Sequence, residues 1–253
     1  MELADTYTSD EMMSIAAARQ LSNNQICFIG IGLPSKAANL ARRLHAPDLI
    51  MIYESGTLGA KPTKLPLSIG DGELAETADT IVSVPEIFNY LLQPGKIDIG
   101  FLGAAQIDRY ANLNSTVIGD YNKPSVRLPG AGGAPEIASS SKRVIVMLRQ
   151  STKSFVDTLP FVTSVGFGAG PGDREKLGLK GAGPVMVITD LGVLEPDSDT
   201  RELVLTHIHP NIAVEKVIES TGWKLRIANQ LKVTESPTAS ELDAIRSLVS
   251  AGK

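Results

Sequence analysis

The stretch from Ile26 to Tyr53 restricts what this chain can fold into more than any other part of it. Ile26 to Ile29 is a short apolar run of the length of a buried strand, and it stops at Gly30-Ile31-Gly32-Leu33-Pro34. Pro34 suits the first turn of a helix, where its missing N–H would have no partner in any case. The following residues set Ala37, Leu40, Ala41 and Leu44 on one helical face, the pattern ends near Pro47, and Leu49 to Tyr53 is a second buried run. A strand, helix and strand in this order are joined by a right-handed crossover, which makes the strands parallel and puts the site edge at their C-terminal ends. Glu54 stands at that edge, followed at once by Ser55 and Gly56.

The pattern extends in both directions. Thr8-Ser9-Asp10-Glu11 has the spacing of a capping box, and Met13, Ala17 and Leu21 follow at four-residue intervals, which predicts a helix from about 9 to 21. Thr80 to Ser83 reads as a strand, Pro85 to Leu92 as a helix stopped by Gly95, and Ile97 to Leu102 as a further strand, so that three parallel strands are expected. Between Gln106 and Ser141 glycine, asparagine, aspartate, serine and proline dominate, and only Thr116 to Ile118 looks extended. A connection this long is more often functional than idle. Strand character returns at Val144–Leu148, Phe161–Val165, Val185–Thr189 and Leu203–Thr206, with a helix over Asn211–Ser220. Thr238-Ala239-Ser240-Glu241 ahead of Leu242, Ile245 and Leu248 marks another capped helix. The expected architecture is α/β, an open, mostly parallel sheet with flanking helices, in a main domain over 1–224 with a C-terminal helical extension over 225–253.

A length of 253 residues suits one such domain with a small appendage. Uninterrupted apolar runs reach only about five residues against the roughly 20 of a membrane span, so no membrane association is expected. The opening Met-Glu-Leu-Ala-Asp has neither the basic region nor the apolar core of a secretory signal, which makes the cytoplasm the expected location. A net charge of −4 gives no electrostatic footprint for general nucleic-acid binding. The one cysteine, Cys27, lies between Ile26 and Phe28 and reads as a buried structural thiol. His207 and His209 would share one face of a strand, but no third or fourth ligand is identifiable, and no metal is expected.

Several glycine motifs compete for a functional reading. Gly30-x-Gly32, with Glu54 some twenty residues on, invites a dinucleotide interpretation, yet the third fingerprint position is Ser35 and Pro34 removes a backbone N–H from the helix start. Gly166-Phe167-Gly168-Ala169-Gly170-Pro171-Gly172 could cradle phosphate but lacks the Gly-Lys-Ser/Thr ending of a P-loop. No Gly-x-Ser-x-Gly elbow is present for a serine hydrolase. Gly130-Ala131-Gly132-Gly133-Ala134 allows close approach of the main chain to a ligand, and successive N–H groups in such a turn can meet one anionic oxygen. Tyr53-Glu54-Ser55-Gly56 presents a carboxylate on a tight turn directly after a buried strand.

Together, Gly30-x-Gly32-x-Pro34, Glu54-Ser55-Gly56, Gly103-Ala104-Ala105-Gln106-Ile107-Asp108, Asn112-Leu113-Asn114-Ser115-Thr116, Ile118-Gly119-Asp120-Tyr121 and Gly130-x-Gly132-Gly133-Ala134 resemble the β subunits of family I coenzyme A transferases. The glutaconate CoA-transferase type is the nearest likeness, and the resemblance covers about residues 8 to 222. It implies a fold related to ribose-phosphate isomerase and a site completed by a separate α subunit in a hetero-oligomer of αβ units. It implies acyl-CoA and carboxylate substrates and no cofactor, coenzyme A being itself a substrate. It makes Glu54 the catalytic glutamate, gives Gly132 and Gly133 an oxyanion or CoA-binding role, and makes Gln106 a candidate positioning residue in the same machinery. The implied chemistry fits the residue types: an unperturbed glutamate has a pKa of ~4.3, so the carboxylate can attack a thioester without a general base and pass through a glutamyl-CoA thioester with ping-pong kinetics. Relatives that replaced this glutamate act as decarboxylases or ring-opening hydrolases, and a non-catalytic acyl-CoA-binding subunit is the remaining alternative. The retained glutamate favours transfer.

Overall fold

In the computed structural model, which describes residues 6–250, the two apolar runs on either side of Gly30–Pro34 become parallel neighbours. Strand Ile26–Phe28 pairs with Ile50–Ile52 in the register Ile26 to Ile50, Cys27 to Met51 and Phe28 to Ile52. On its other side it pairs, again parallel, with Ile99–Leu102. Cys27, Phe28, Met51 and Ile52 are buried, as a strand covered on both faces requires. The crossover is helix Leu33–Leu44, whose Ala37, Ala38 and Ala41 are buried and small enough for helix Ser9–Ala18 to pack closely on it. The Ser9–Ala18 helix begins with the expected capping box, Thr8 and Glu11 each satisfying the other's backbone N–H, but it ends three residues earlier than the periodicity predicts. Leu44, expected on the packed face, is exposed at the last turn.

The described residues form two compact units, one reaching Phe101 and resuming at Glu235, the other spanning Leu102 to Thr234. In the first, three parallel strands are extended by two short antiparallel ones. Thr57–Leu58 turns back on Ile50–Ile52, and Thr80–Ile81 pairs antiparallel with Thr57–Leu58. The Thr80 strand is therefore an antiparallel edge and not a further parallel member, because the chain reverses at Gly56. The helix expected over Pro85–Leu92 is one α-helical turn, Val84–Glu86, running on as a π-helical segment, Ile87–Leu92, that buries Ile87, Phe88 and Leu92. Phe88 meets Phe28 edge to face, with ring centroids 6.0 Å apart.

In the second unit five strands lie side by side in the order Arg226–Val233, Leu203–Ile208, Gly192–Pro196, Pro184–Ile188 and Arg143–Met147. The two outer pairings are parallel and the two inner ones antiparallel. The long Gln106–Ser141 stretch folds into two hairpins, Gln106–Ile107 with Leu113–Asn114 and Val117–Gly119 with Pro124–Arg127, followed by helix Ala134–Ser140. Phe161–Val165, expected as a strand, forms none; Ser164 makes only an isolated bridge to Leu113. The segment after residue 225, expected to be helical, opens instead with the strand Arg226–Val233, whose side chains are mostly exposed and so carry no apolar periodicity. Back in the first unit, helix Ala239–Ser250 buries Leu242, Ile245 and Leu248, the three positions its sequence predicts, and packs on Leu33–Leu44 and Ser9–Ala18.

Candidate active site

The parallel pair in the first unit ends in two loops at the same edge, because the Ile29 N–H still reaches the Ile52 carbonyl at 2.9 Å. One loop is Gly30-Ile31-Gly32, where Gly32 takes a positive φ of 87° and caps helix Leu33–Leu44. The other is the turn carrying Glu54. It is closed by Gly56 N–H to the Tyr53 carbonyl at 3.0 Å and by Tyr53 N–H to the Thr57 carbonyl at 3.1 Å. Gly56 has φ 108°, and a Cβ there would collide with the Val82 carbonyl oxygen, so no other residue fits the turn. Tyr53 is fully buried and its hydroxyl lies 3.2 Å from Ser35 Oγ on the crossover helix. Burial pushes that phenol above the ordinary tyrosine range. Tyr53 thus pins the turn to the helix from below, while Glu54 stays partly exposed. Among the described residues the shielded hydroxyls of Ser55 and Thr57, on either side of Gly56, have no hydrogen-bond partner.

The other expected site residues, Gln106, Gly132 and Gly133, belong to the second unit, and there the motifs meet. Gln106 is buried and faces Asn114 across the antiparallel pair; Asn114 Nδ2 donates to Gln106 Oε1 at 2.9 Å. The next residue, Ser115, holds the glycine loop through two bonds to Gly130: Gly130 N–H donates to the Ser115 carbonyl at 2.9 Å and Ser115 Oγ donates to the Gly130 carbonyl at 2.8 Å. Gly132 has φ 50° and Gly133 caps helix Ala134–Ser140. Among the described residues the N–H groups of Gly132 and Gly133 donate to nothing. Asp108 and Asn112 serve the scaffold. Asp108 accepts from the Tyr110 and Asn112 N–H groups and from Asn112 Nδ2, and burial raises its carboxyl above the usual aspartate range despite those bonds. Asn112 Oδ1 in turn accepts from the Gly166 and Gly168 N–H groups.

That last arrangement disposes of the phosphate reading of Gly166–Gly172. The N–H groups of Gly166 and Gly168 are taken by Asn112, that of Ala169 by Asp173, and that of Gly170 by the Phe167 carbonyl. The cavity of about 560 Å³ beside this loop includes Arg174 in its lining, but that guanidinium is buried and donates to the carbonyls of Ala138, Val165, Gly166 and Gly181. His209 is likewise committed: Nε2 lies 2.8 Å from the Thr189 carbonyl and Nδ1 3.1 Å from the Thr234 hydroxyl, and burial holds the imidazole below the usual histidine range. Asn114 falls within one of the sequence motifs, yet the motif assigns it no role. Its signal is the alternation from Gln106 to Asn114 across a turn of Asp and Asn type residues, which becomes readable only once the hairpin is known.

The first unit displays a carboxylate on a turn at the edge of parallel strands, and the second holds a glycine loop with unused N–H donors, each a feature that acyl-transfer chemistry can use. Comparison with known proteins narrows the class. A family model described as coenzyme A transferase matches residues 10–220. The chain is 62% identical over 242 residues to the β subunit of 3-oxoadipate CoA-transferase from Pseudomonas knackmussii, covering 96% of this chain and 93% of that protein. It is 38% identical to the β subunit of glutaconate CoA-transferase from Acidaminococcus fermentans, over 98% of this chain and 94% of that one. The crystal structure of the A. fermentans glutaconate enzyme superposes with a TM-score of 0.92 at 35% identity, covering 98% of this chain and 96% of the other. The chain belongs to the coenzyme A transferase family, as a β subunit of the family I type. Among the described residues no helix is long and apolar enough to cross a membrane.

Proposed function

We propose that this subunit supplies the nucleophile of a CoA-transferase acting on dicarboxylates, that Glu54 is that nucleophile, and that turnover requires a separate α subunit. The observation that supports it is the Glu54 turn: a partly exposed carboxylate on a backbone that only Gly56 permits, at the edge where α/β folds bind their ligands. In the proposed reaction a Glu54 oxygen attacks the thioester carbonyl of an acyl-CoA. The new C–O bond replaces the C–S bond and CoA leaves as thiolate. The thiolate attacks the glutamyl carbonyl, forming a glutamyl-CoA thioester and releasing the acyl group as a carboxylate. An acceptor carboxylate then runs the two steps in reverse, and no electron or proton is left over. Each addition builds negative charge on a carbonyl oxygen, for which the Gly132 and Gly133 N–H groups and Gln106 are the donors proposed; losing one such donor typically costs about 3 kcal/mol.

The dicarboxylate assignment draws on the two relatives named above, a 3-oxoadipate and a glutaconate CoA-transferase subunit. The stronger identity lies with the 3-oxoadipate protein, which puts 3-oxoadipate first among acceptors to assay. The test is mass spectrometry of the αβ complex after incubation with an acyl-CoA panel. A CoA adduct at Glu54, discharged by 3-oxoadipate or glutaconate, is the expected result. CoA release that needs no acceptor, with no adduct, would instead make the protein a hydrolase.

A further inference from the structure

The use of Gln106 depends on which way its amide faces, since one end of a carboxamide accepts and the other donates. Three bonds decide it, and all involve Asn114, which is completely buried. Asn114 Oδ1 accepts from the backbone N–H groups of Thr116 at 3.0 Å and Val117 at 3.3 Å, and Asn114 Nδ2 donates to the Val117 carbonyl at 2.7 Å. Backbone groups cannot exchange donor for acceptor, so the orientation of Asn114 has no alternative. The second proton of its Nδ2 then faces Gln106 and is accepted by Oε1 at 2.9 Å. Gln106 Nε2 is the end left over, and its bond to the Lys153 carbonyl is long at 3.4 Å.

We propose that Asn114 is a positioning residue: it fixes the polarity of the Gln106 amide, so that Gln106 meets the substrate as an N–H donor and never as an acceptor. The inference rests on the reading of Gln106 as a residue that touches a substrate oxygen. Every oxygen it could meet there, thioester carbonyl, carboxylate or developing oxyanion, is an acceptor. A Gln106 turned about its last torsion would present its own oxygen to that group and repel it. Without Asn114 only the long contact of Nε2 with the Lys153 carbonyl opposes the turn.

A double-mutant cycle in the assembled αβ enzyme tests this. Asn114→Asp keeps an oxygen for the Thr116 and Val117 N–H groups but offers Gln106 an acceptor, which turns its amide around. Gln106→Met keeps the length and removes the amide. The expected result is a fall in kcat of about 100-fold for Asn114→Asp, the size of losing one oxyanion donor, and little further fall when the same change is made in the Gln106→Met background. A purely structural Asn114 would lower kcat by the same factor in both backgrounds, and that result, or an unchanged kcat for Asn114→Asp, overturns the proposal. Asn114→Ser, which retains an acceptor near those backbone groups but cannot reach Gln106, completes the same cycle if the aspartate variant fails to assemble. Full transfer by Gln106→Met alone would remove both the inference and the role of Gln106 it rests on, while leaving Glu54 adduct formation intact as a separate measurement.

Discussion

At the residue scale, Glu54 and Gly56 divide the work of the turn. Glu54→Gln removes the oxygen anion proposed to attack, and transfer and adduct formation are expected to vanish while acyl-CoA binding persists, which a rate assay paired with calorimetric binding will show. Glu54→Asp keeps the charge but withdraws it by one methylene, and displacement of about 1 Å can cost on the order of 100-fold in rate. A near-normal rate in Glu54→Gln would return Glu54 to the role of an ordinary turn carboxylate. Gly56→Ala meets a different obstacle: φ 108° is unfavourable for any L side chain and the new Cβ strikes the Val82 carbonyl. A loss of roughly 3 kcal/mol or more in unfolding free energy is expected, read as a lower denaturation midpoint. The tightness of this turn was legible from Glu-Ser-Gly, but its partner Val82 was not, because the contact joins residues distant in the chain that share no pattern.

At the scale of elements, the C-terminal helix is held by a side-chain lock. Arg19, at the end of the Ser9–Ala18 helix, donates Nε and Nη2 to the two oxygens of Glu241 at 2.8 Å each, and its guanidinium also donates to the carbonyls of Glu235 and Ser236. Glu241 closes a capping box at the same time, accepting from Thr238 N–H at 2.9 Å. Burial works against the ionised Glu241, yet Arg19 and the Thr238 N–H outweigh it and hold the carboxyl below the ordinary 4.5. A lowered folded-state value means that the lock contributes in full above the unfolded value near 4.5 and is lost as the pH falls below it through the folded value. Hydrogen exchange across residues 239–250 should therefore accelerate in acid before the rest of the first unit opens. Arg19→Met should produce the same loosening at neutral pH, at a cost of about 1.5–3 kcal/mol for the charged hydrogen bonds removed. Unchanged exchange in that helix would show that Leu242, Ile245 and Leu248, with the Arg246–Glu11 ion pair, suffice to hold it. The capping motif and the three apolar positions were readable in advance; Arg19 as the partner was not, since it lies 222 positions away.

At the scale of the whole molecule, the subunit is expected to be inactive alone. Purified by itself it should show no CoA transfer above background, and full activity should return on mixing or co-expression with its α subunit; turnover by the single chain would refute the need for a partner. Kinetics of the assembled enzyme should give parallel double-reciprocal lines, the mark of a covalent intermediate that parts the two half-reactions. Intersecting lines would mean that donor and acceptor are bound together and that no glutamyl-CoA species carries the transfer.

The first crossover, both capping boxes, the buried thiol of Cys27 and the place of Glu54 at a strand end were all determined by the sequence itself. Each rests on local spacing, and local spacing is what amphipathic periodicity and cap chemistry report. The two-residue strands after Gly56, the exposed edge strand Arg226–Val233 and the failure of Phe161–Val165 to form a strand were decided by tertiary structure. Short or solvent-facing strands exist only through their neighbours, and Phe161–Val165 pairs its backbone with its neighbour only at Leu113, which makes a single bridge and no ladder. The same division holds in the site. Motif order alone pointed to Gln106, Gly132 and Gly133, but only folding joined Gln106 to Asn114 and Ser115 to Gly130, because a hydrogen bond across a hairpin depends on register, and register belongs to the pair and not to either strand.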